Sequence, residues 1–117
     1  MSSNKSNFCV LPWVHLSADT DGTFSPCCLY QGSIERDDGK KHIADGVTVG
    51  DVWNSNYMQN LRTQFLNNER PHECRYCWDL EDGGMKSKRI NDLERFHVPE
   101  QAYTPDTEQK PVYFDLK

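Results

Sequence analysis

Cysteine thiols are the side chains through which this sequence can do chemistry, and five of them occur in the chain. Cys74 and Cys77 stand at C-x-x-C spacing, so that both sulfurs can reach one metal centre. The start of a helix, where this pair is predicted, also favours the thiolate form. Such a pair serves as half of a four-thiolate metal site, as a redox dithiol or as part of a disulfide framework.

The composition describes a small domain that needs additional stabilisation. The chain has 117 residues, of which 36% are hydrophobic and 26% charged, and its mean hydropathy is −0.83. Its apolar core should therefore be thin, and small domains of this kind are usually held together by disulfides, a metal or a partner. The net charge of −5 argues against nucleic acid as a partner.

The N-terminus and the number of cysteines favour a metal over disulfides. Residues 1–7 are polar, contain no apolar leader and are expected to be disordered, and no apolar run is long enough to span a membrane. We therefore expect a cytoplasmic protein, in which thiols stay reduced. An odd number of cysteines also fits poorly with a closed set of disulfides.

Two predicted strands position the N-terminal cysteines. Val14 and Leu16 alternate with Trp13 and His15, a pattern that predicts a first strand. The dipeptide Asp21-Gly22 predicts a hairpin turn, and residues 24–30 are predicted to form the returning strand. Cys9 would lie just before the first strand and Cys27 on the second. An antiparallel hairpin can bring the two to the same end.

Helices are predicted to follow the hairpin. Asn54 and Ser55 are good N-caps for a helix that ends near residue 67. An apolar stripe runs along this helix, with polar residues on its other faces: Tyr57, Met58, Leu61 and Phe65 form the stripe, and Gln59, Asn60, Arg62 and Gln64 lie elsewhere.

A second helix is predicted to begin at Cys74, to break at Gly83-Gly84 and to resume near Ile90. We interpret the basic residues Lys86, Lys88 and Arg89 as a solvated face of the resumed helix, and the alternative is contact with an anionic substrate or with another domain. The fold class predicted is α+β, with a small β-hairpin and two or three helices around a four-cysteine metal site.

The neighbouring residues Cys27 and Cys28 would point to opposite faces of a strand, so only one of them can readily join the site. The predicted ligands are then Cys9, one of this pair, Cys74 and Cys77. Four thiolates suit Zn²⁺ or a [4Fe–4S] cluster, and spacing alone leaves open both the metal and the choice within the pair. A thioredoxin-like dithiol fits less well, because its C-x-x-C should follow a strand rather than a helix.

The cysteine spacing also carries a family resemblance. Cys9, twelve residues, Gly22, four residues and Cys27 fit the pattern C-x(9–15)-G-x(4)-C, and Cys74-x-x-Cys77 comes later. This arrangement resembles the SPASM and twitch domains of radical SAM enzymes, over about residues 8–90. In one branch of the radical SAM proteins, a SPASM-type segment precedes the catalytic barrel, and several stretches of this chain resemble that segment. They are Phe8-Cys9-x-x-Pro12-Trp13-x-His15, Gly22-x-x-x-Pro26-Cys27-Cys28, Asp51-x-Trp53-Asn54-Ser55, Pro71-x-x-Cys74-x-x-Cys77 and Glu81-x-x-Gly84-x-x-Ser87-x-Arg89.

The resemblance implies an auxiliary [4Fe–4S] cluster held by Cys9, Cys27, Cys74 and Cys77, and the position of Gly22 selects Cys27 over Cys28. Its role would be electron transfer, folding or substrate binding. The alternative is a zinc-ribbon-like interaction module with Zn²⁺ on the same four thiolates. A single C-x-x-C resembles the one-cluster twitch form.

The resemblance also implies a domain organisation. Residues 8–97 would be the cluster domain, 98–110 a linker and 111–117 the first strand of a radical SAM barrel that the chain does not contain. The sequence has no C-x-x-x-C-x-x-C motif, so S-adenosylmethionine would bind only through that barrel, and whether this chain is part of an enzyme stays open. The expected partners are the barrel and a peptide or protein substrate.

Overall fold

The computed structural model describes residues 7–96 and 103–105, and the backbone of residues 113–116. It confirms an α+β fold, and none of the helices in the described part of the chain is long and apolar enough to cross a membrane. The helices are α1 Leu11–Val14, α2 Val49–Trp53, α3 Asn56–Leu66, α4 Arg75–Asp82 and α5 Lys88–Arg95, with 3₁₀ turns at Ile43–Asp45 and His72–Cys74. The strands are β1 His15–Ala18, β2 Phe24–Ser25 and β3 Tyr113–Leu116.

The three strands form one sheet in the order β2-β1-β3. The predicted hairpin is confirmed: β1 and β2 pair antiparallel, with Ser17 opposite Ser25. Gly22 lies in the turn with φ of +90°, a conformation that glycine adopts without steric cost. On its other edge, β1 pairs in parallel with β3, so that β1 is the central strand.

Both strands of the hairpin are shorter than predicted. Leu11–Val14 forms a helical turn, which suits Pro12 near its start because a first-turn proline needs no N–H partner. The alternation over residues 13–16 was misleading, since all four are buried and no face is exposed. The strand predicted over 24–30 ends at Ser25, because Pro26 cannot donate to the ladder. Cys27 therefore follows β2 rather than lying on it.

Helix α3 begins as predicted, with the Ser55 hydroxyl oxygen accepting a hydrogen bond from the backbone N–H of Met58. Met58, Leu61 and Phe65 are buried, which confirms the apolar stripe. Arg62, which was predicted to lie on another face of the helix, is also fully buried.

The Arg62 guanidinium is buried because it binds backbone oxygens from several segments. It donates to the carbonyls of Pro12 and Trp53 at 2.9 and 2.6 Å, and to that of Pro105 at 2.9 Å. It also lies over the Trp53 ring, 4.8 Å from the ring centroid. Arg62 thus joins α1, α2 and α3 to residues 103–105.

The described part of the predicted linker packs on the domain. The ring of Tyr103 meets Phe8 and Trp13 edge-on, at centroid distances of 4.8 and 5.3 Å. Trp13 Nε1–H donates to the Thr104 carbonyl at 2.9 Å. The rest of the predicted linker and the tail before residue 7 lie outside the described residues. The predicted terminal strand is present as β3, and its assignment to a barrel stays a prediction.

Candidate metal centre

Four cysteines line one cavity: Cys9, Cys27, Cys74 and Cys77. All are free thiols; Cys9 and Cys77 are buried, and Cys27 and Cys74 are half-buried. They come from three parts of the chain that are distant in sequence: the segment before α1, the turn after β2 and the start of α4. The fifth cysteine, Cys28, is also a free thiol but does not line this cavity.

Helix α4 and the 3₁₀ turn before it position the C-x-x-C pair. Cys74 is the N-cap residue of α4, and Cys77 lies in its first turn. A helix N-terminus carries partial positive charge from its unpaired N–H groups, and this stabilises thiolate. The prediction that a helix begins at this pair is therefore confirmed, with the helix itself starting at Arg75.

A turn after β2 positions Cys27. The backbone N–H of Tyr30 donates to the Cys27 carbonyl at 3.2 Å, and that of Leu29 donates to the Cys27 sulfur at 3.4 Å. An N–H···S bond favours the anionic form of a sulfur ligand and tunes the potential of an iron–sulfur cluster.

The walls between the cysteines are largely apolar, and they include Leu11, Phe65 and Trp78. Burial raises the pKa of Cys9 and Cys74 well above the usual thiol value, and raises that of Cys27 to about 12. Repulsion between neighbouring thiolates raises the pKa of all three cysteines further. These groups therefore favour the neutral thiol until a positively charged centre compensates them, so metal binding should release protons.

The four thiols share a cavity without forming a preformed site for a single ion. Within the part of the chain that the structure describes, no group of three or more His, Cys, Asp or Glu side chains is arranged to hold one metal ion. The prediction that all four cysteines are ligands stays a prediction.

Arg89 supports the cavity, a role that our interpretation of a solvated basic face missed. It lines the cavity and is only 4% exposed. Its guanidinium makes two hydrogen bonds with Glu81 of α4 and donates a third to the Phe8 carbonyl, next to Cys9, at 2.7 Å. Ser87, the N-cap of α5, also donates to Glu81.

Two guanidinium groups lie close to the ring of Trp78 on the cavity wall. Arg70 and Arg89 lie over its ring at 5.1 and 5.5 Å from the centroid. Its indole N–H donates to the Pro71 carbonyl at 2.9 Å. Arg70 in turn donates to both carboxylate oxygens of Asp82 in a solvent-exposed ion pair.

A family model described as the SPASM iron–sulfur cluster-binding domain matches residues 9–78, which is more than half of the chain. The chain belongs to the SPASM family. The match runs from Cys9 to the residue after Cys77, and it therefore includes all four cysteines of the cavity. Searches of curated proteins and of solved structures give no significant match.

The residues of this SPASM domain fit an iron–sulfur cluster. Four thiols in a mostly apolar cavity are a donor set that such clusters use, and an N–H already points at the Cys27 sulfur. Arg89 and Ser87 lie beyond the matched range. Both belong to a segment whose sequence resembles the family, but that resemblance did not predict that they support the cavity. The sequence did not reveal that the two residues are buried, because their burial depends on carbonyl and carboxylate partners that only the fold brings close.

Proposed function

We propose that this SPASM domain is the auxiliary [4Fe–4S] module of a radical SAM enzyme, with Cys9, Cys27, Cys74 and Cys77 as ligands. The observation that carries the proposal is the coincidence of the SPASM match with one cavity lined by four cysteines. We leave Cys28 out of the proposed ligand set, because it does not line that cavity. The single C-x-x-C favours the one-cluster twitch form.

The cluster would first of all support folding. Its ligands come from three segments that otherwise meet through the apolar core and the buried Arg89–Glu81 pair. Since the site forms only in the folded chain, the free energy of cluster binding adds to the free energy of folding. Four cysteine ligands leave no iron open to substrate, which favours a structural or electron-transfer role.

We propose that the partner domain is a radical SAM barrel, of which β3 would be the first strand. S-adenosylmethionine would bind there, because this chain has no C-x-x-x-C-x-x-C motif. The substrate of the whole enzyme would be a peptide or protein, and the compartment the cytoplasm.

Anaerobic reconstitution with iron and sulfide tests the proposal. We expect a brown protein with about four iron and four sulfide per chain, and a cluster that is visible by electron paramagnetic resonance after reduction. A colourless protein that binds one Zn²⁺ tightly and takes up no iron would contradict the proposal and favour the zinc-ribbon-like module. Sequencing the gene beyond Lys117 tests the barrel separately, because a C-x-x-x-C-x-x-C loop should follow.

A further inference from the structure

A second cavity, here called the outer cavity, adjoins Tyr30 and has no cysteine among its lining residues. Tyr30 lines both this cavity and the one that the four cysteines line. The lining residues are mostly polar: Tyr30, Tyr57, Asn60, Leu61, Gln64 and Glu73.

One face of α3 forms a wall of this outer cavity. Tyr57, Asn60, Leu61 and Gln64 follow one another at helical spacing, so that they share a face. Leu61 is buried and belongs to the hydrophobic core, whereas the amides of the two polar residues offer both donors and acceptors.

Glu73 is held against this cavity by a neighbouring loop. Its backbone carbonyl accepts a hydrogen bond of 2.7 Å from the N–H of Gln31. Gly32 packs so closely that an added Cβ would lie 3.0 Å from Tyr30 Cε2 and 3.3 Å from Glu73 Cγ. A side chain at position 32 would therefore press on both Tyr30 and Glu73.

Two phenols meet at the cavity, with 2.5 Å between the hydroxyl oxygens of Tyr30 and Tyr57. Burial raises the pKa of both, and the negative charge of Glu73 raises both further. Both phenols therefore stay protonated at neutral pH and keep their capacity to form hydrogen bonds.

The charge of the cavity is negative. Glu73 is the charged residue among those that line it, and within the described residues its carboxylate has no ion-pair partner. A half-buried carboxylate surrounded by amide and phenol oxygens favours a cation that carries several N–H donors.

We propose that this outer cavity is a binding site for a guanidinium group, with Glu73 as its counter-ion. The carboxylate would accept two parallel N–H bonds, and the oxygens of Asn60, Gln64 and the phenol pair would accept the others. This goes beyond the cluster-binding function and does not depend on which metal the cysteines hold.

Calorimetric titration of the full chain, reconstituted with its metal, tests the site. The probe is N-acetyl-arginine amide, and the comparison is N-acetyl-citrulline amide, which has a similar shape and no charge. We expect the arginine compound to bind at least about tenfold more tightly, and Glu73→Gln to remove that preference. Glu69→Gln is the matched control, because Glu69 is exposed and lies outside the cavity.

A second variant avoids the residue next to Cys74. Gln64→Lys places an ammonium group in the cavity and should abolish binding of the arginine compound, whereas Asn67→Lys, at the exposed end of α3, should leave it unchanged. Equal binding of the two compounds, or unchanged binding after both Glu73→Gln and Gln64→Lys, would overturn the proposal. The metal content of each sample, measured in parallel, separates this result from a failure of the proposed function.

Discussion

Arg89 holds Glu81 with two hydrogen bonds, of 2.9 Å from Nε and 2.6 Å from Nη2. The side chains of the pair are only 5% and 11% exposed, and a third N–H of Arg89 reaches the Phe8 carbonyl beside Cys9. The pair therefore connects α5, α4 and the segment that carries Cys9. Breaking it should disturb the cavity as well as the fold.

Arg89→Gln should destabilise the reconstituted domain by about 3 kcal/mol or more, because it leaves a largely buried carboxylate without its partner. Arg89→Lys should recover only part of this loss, since one ammonium cannot reproduce the forked contact with Glu81. Anaerobic denaturant unfolding measures both.

The control for this prediction is Lys86→Gln. Lys86 forms an exposed pair with Glu94, at 52% and 62% exposure, so the change should be close to neutral. A loss of unfolding free energy for Arg89→Gln that is as small as the loss for Lys86→Gln would show that the Arg89 pair contributes little to stability.

Acid should weaken the domain through Glu81. Burial alone would raise its pKa, but hydrogen bonds from Arg89 and Ser87 outweigh burial and hold the pKa below the ordinary value of 4.5. The stability that this group contributes is therefore complete above about pH 4.5 and is lost as the pH falls through the lower folded pKa.

The free energy lost in Glu81→Gln should accordingly be greatest at neutral pH and should shrink below pH 4.5. Unfolding curves at several pH values, with the metal content followed at each, measure this dependence. A cost that stays constant down to pH 3 would show that protonation of Glu81 does not matter for stability.

Cys27→Ser should abolish cluster assembly, whereas Cys28→Ser should leave it intact. The two residues are neighbours, but only Cys27 lines the cavity and accepts the N–H of Leu29 at its sulfur. Iron and sulfide content after reconstitution measure the difference. The opposite outcome, with Cys28 essential and Cys27 dispensable, would exchange the two in the ligand set.

Lys88 should influence the reduction potential of the cluster. It lines the cavity, is 24% exposed and pairs with Asp92 at 3.2 Å. A nearby positive charge stabilises the more negative reduced cluster, so Lys88→Gln should lower the potential by about 30–60 mV, where 59 mV is a tenfold change for one electron.

A redox titration followed by electron paramagnetic resonance measures this potential. Lys86→Gln is again the matched control, because Lys86 is a neighbouring lysine that does not line the cavity. Equal potentials for wild type and Lys88→Gln would mean that Asp92 already neutralises the lysine at the cluster.

Local sequence signals were sufficient to predict several elements of the fold. The Asp-Gly turn, the Ser55 N-cap and the apolar stripe of α3 depend on residues close together in the chain, and the structure has all three. The convergence of Cys9 and Cys27 with the C-x-x-C pair was also predictable from spacing and resemblance.

Two arginines could not be interpreted in this way. Arg62 and Arg89 resemble surface cations in sequence, but both are buried against carbonyl groups that are distant in sequence. Whether a guanidinium is buried depends on acceptors that only the folded chain assembles. The helical turn of α1 was missed for a similar reason, since burial on all sides removes the periodicity that distinguishes strand from helix.

The wide separation of the cysteines in sequence has a consequence for biosynthesis. Almost the whole matched domain is synthesised between Cys9 and Cys77. At about 5–20 residues per second, this synthesis takes several seconds. During that interval Cys9 and Cys27 lack Cys74 and Cys77 as partners for a shared centre and are open to oxidation. With all four cysteines as the proposed ligands, assembly of the centre would have to wait until α4 has emerged, and the delivery of iron and sulfur would be a late step in the maturation of this domain.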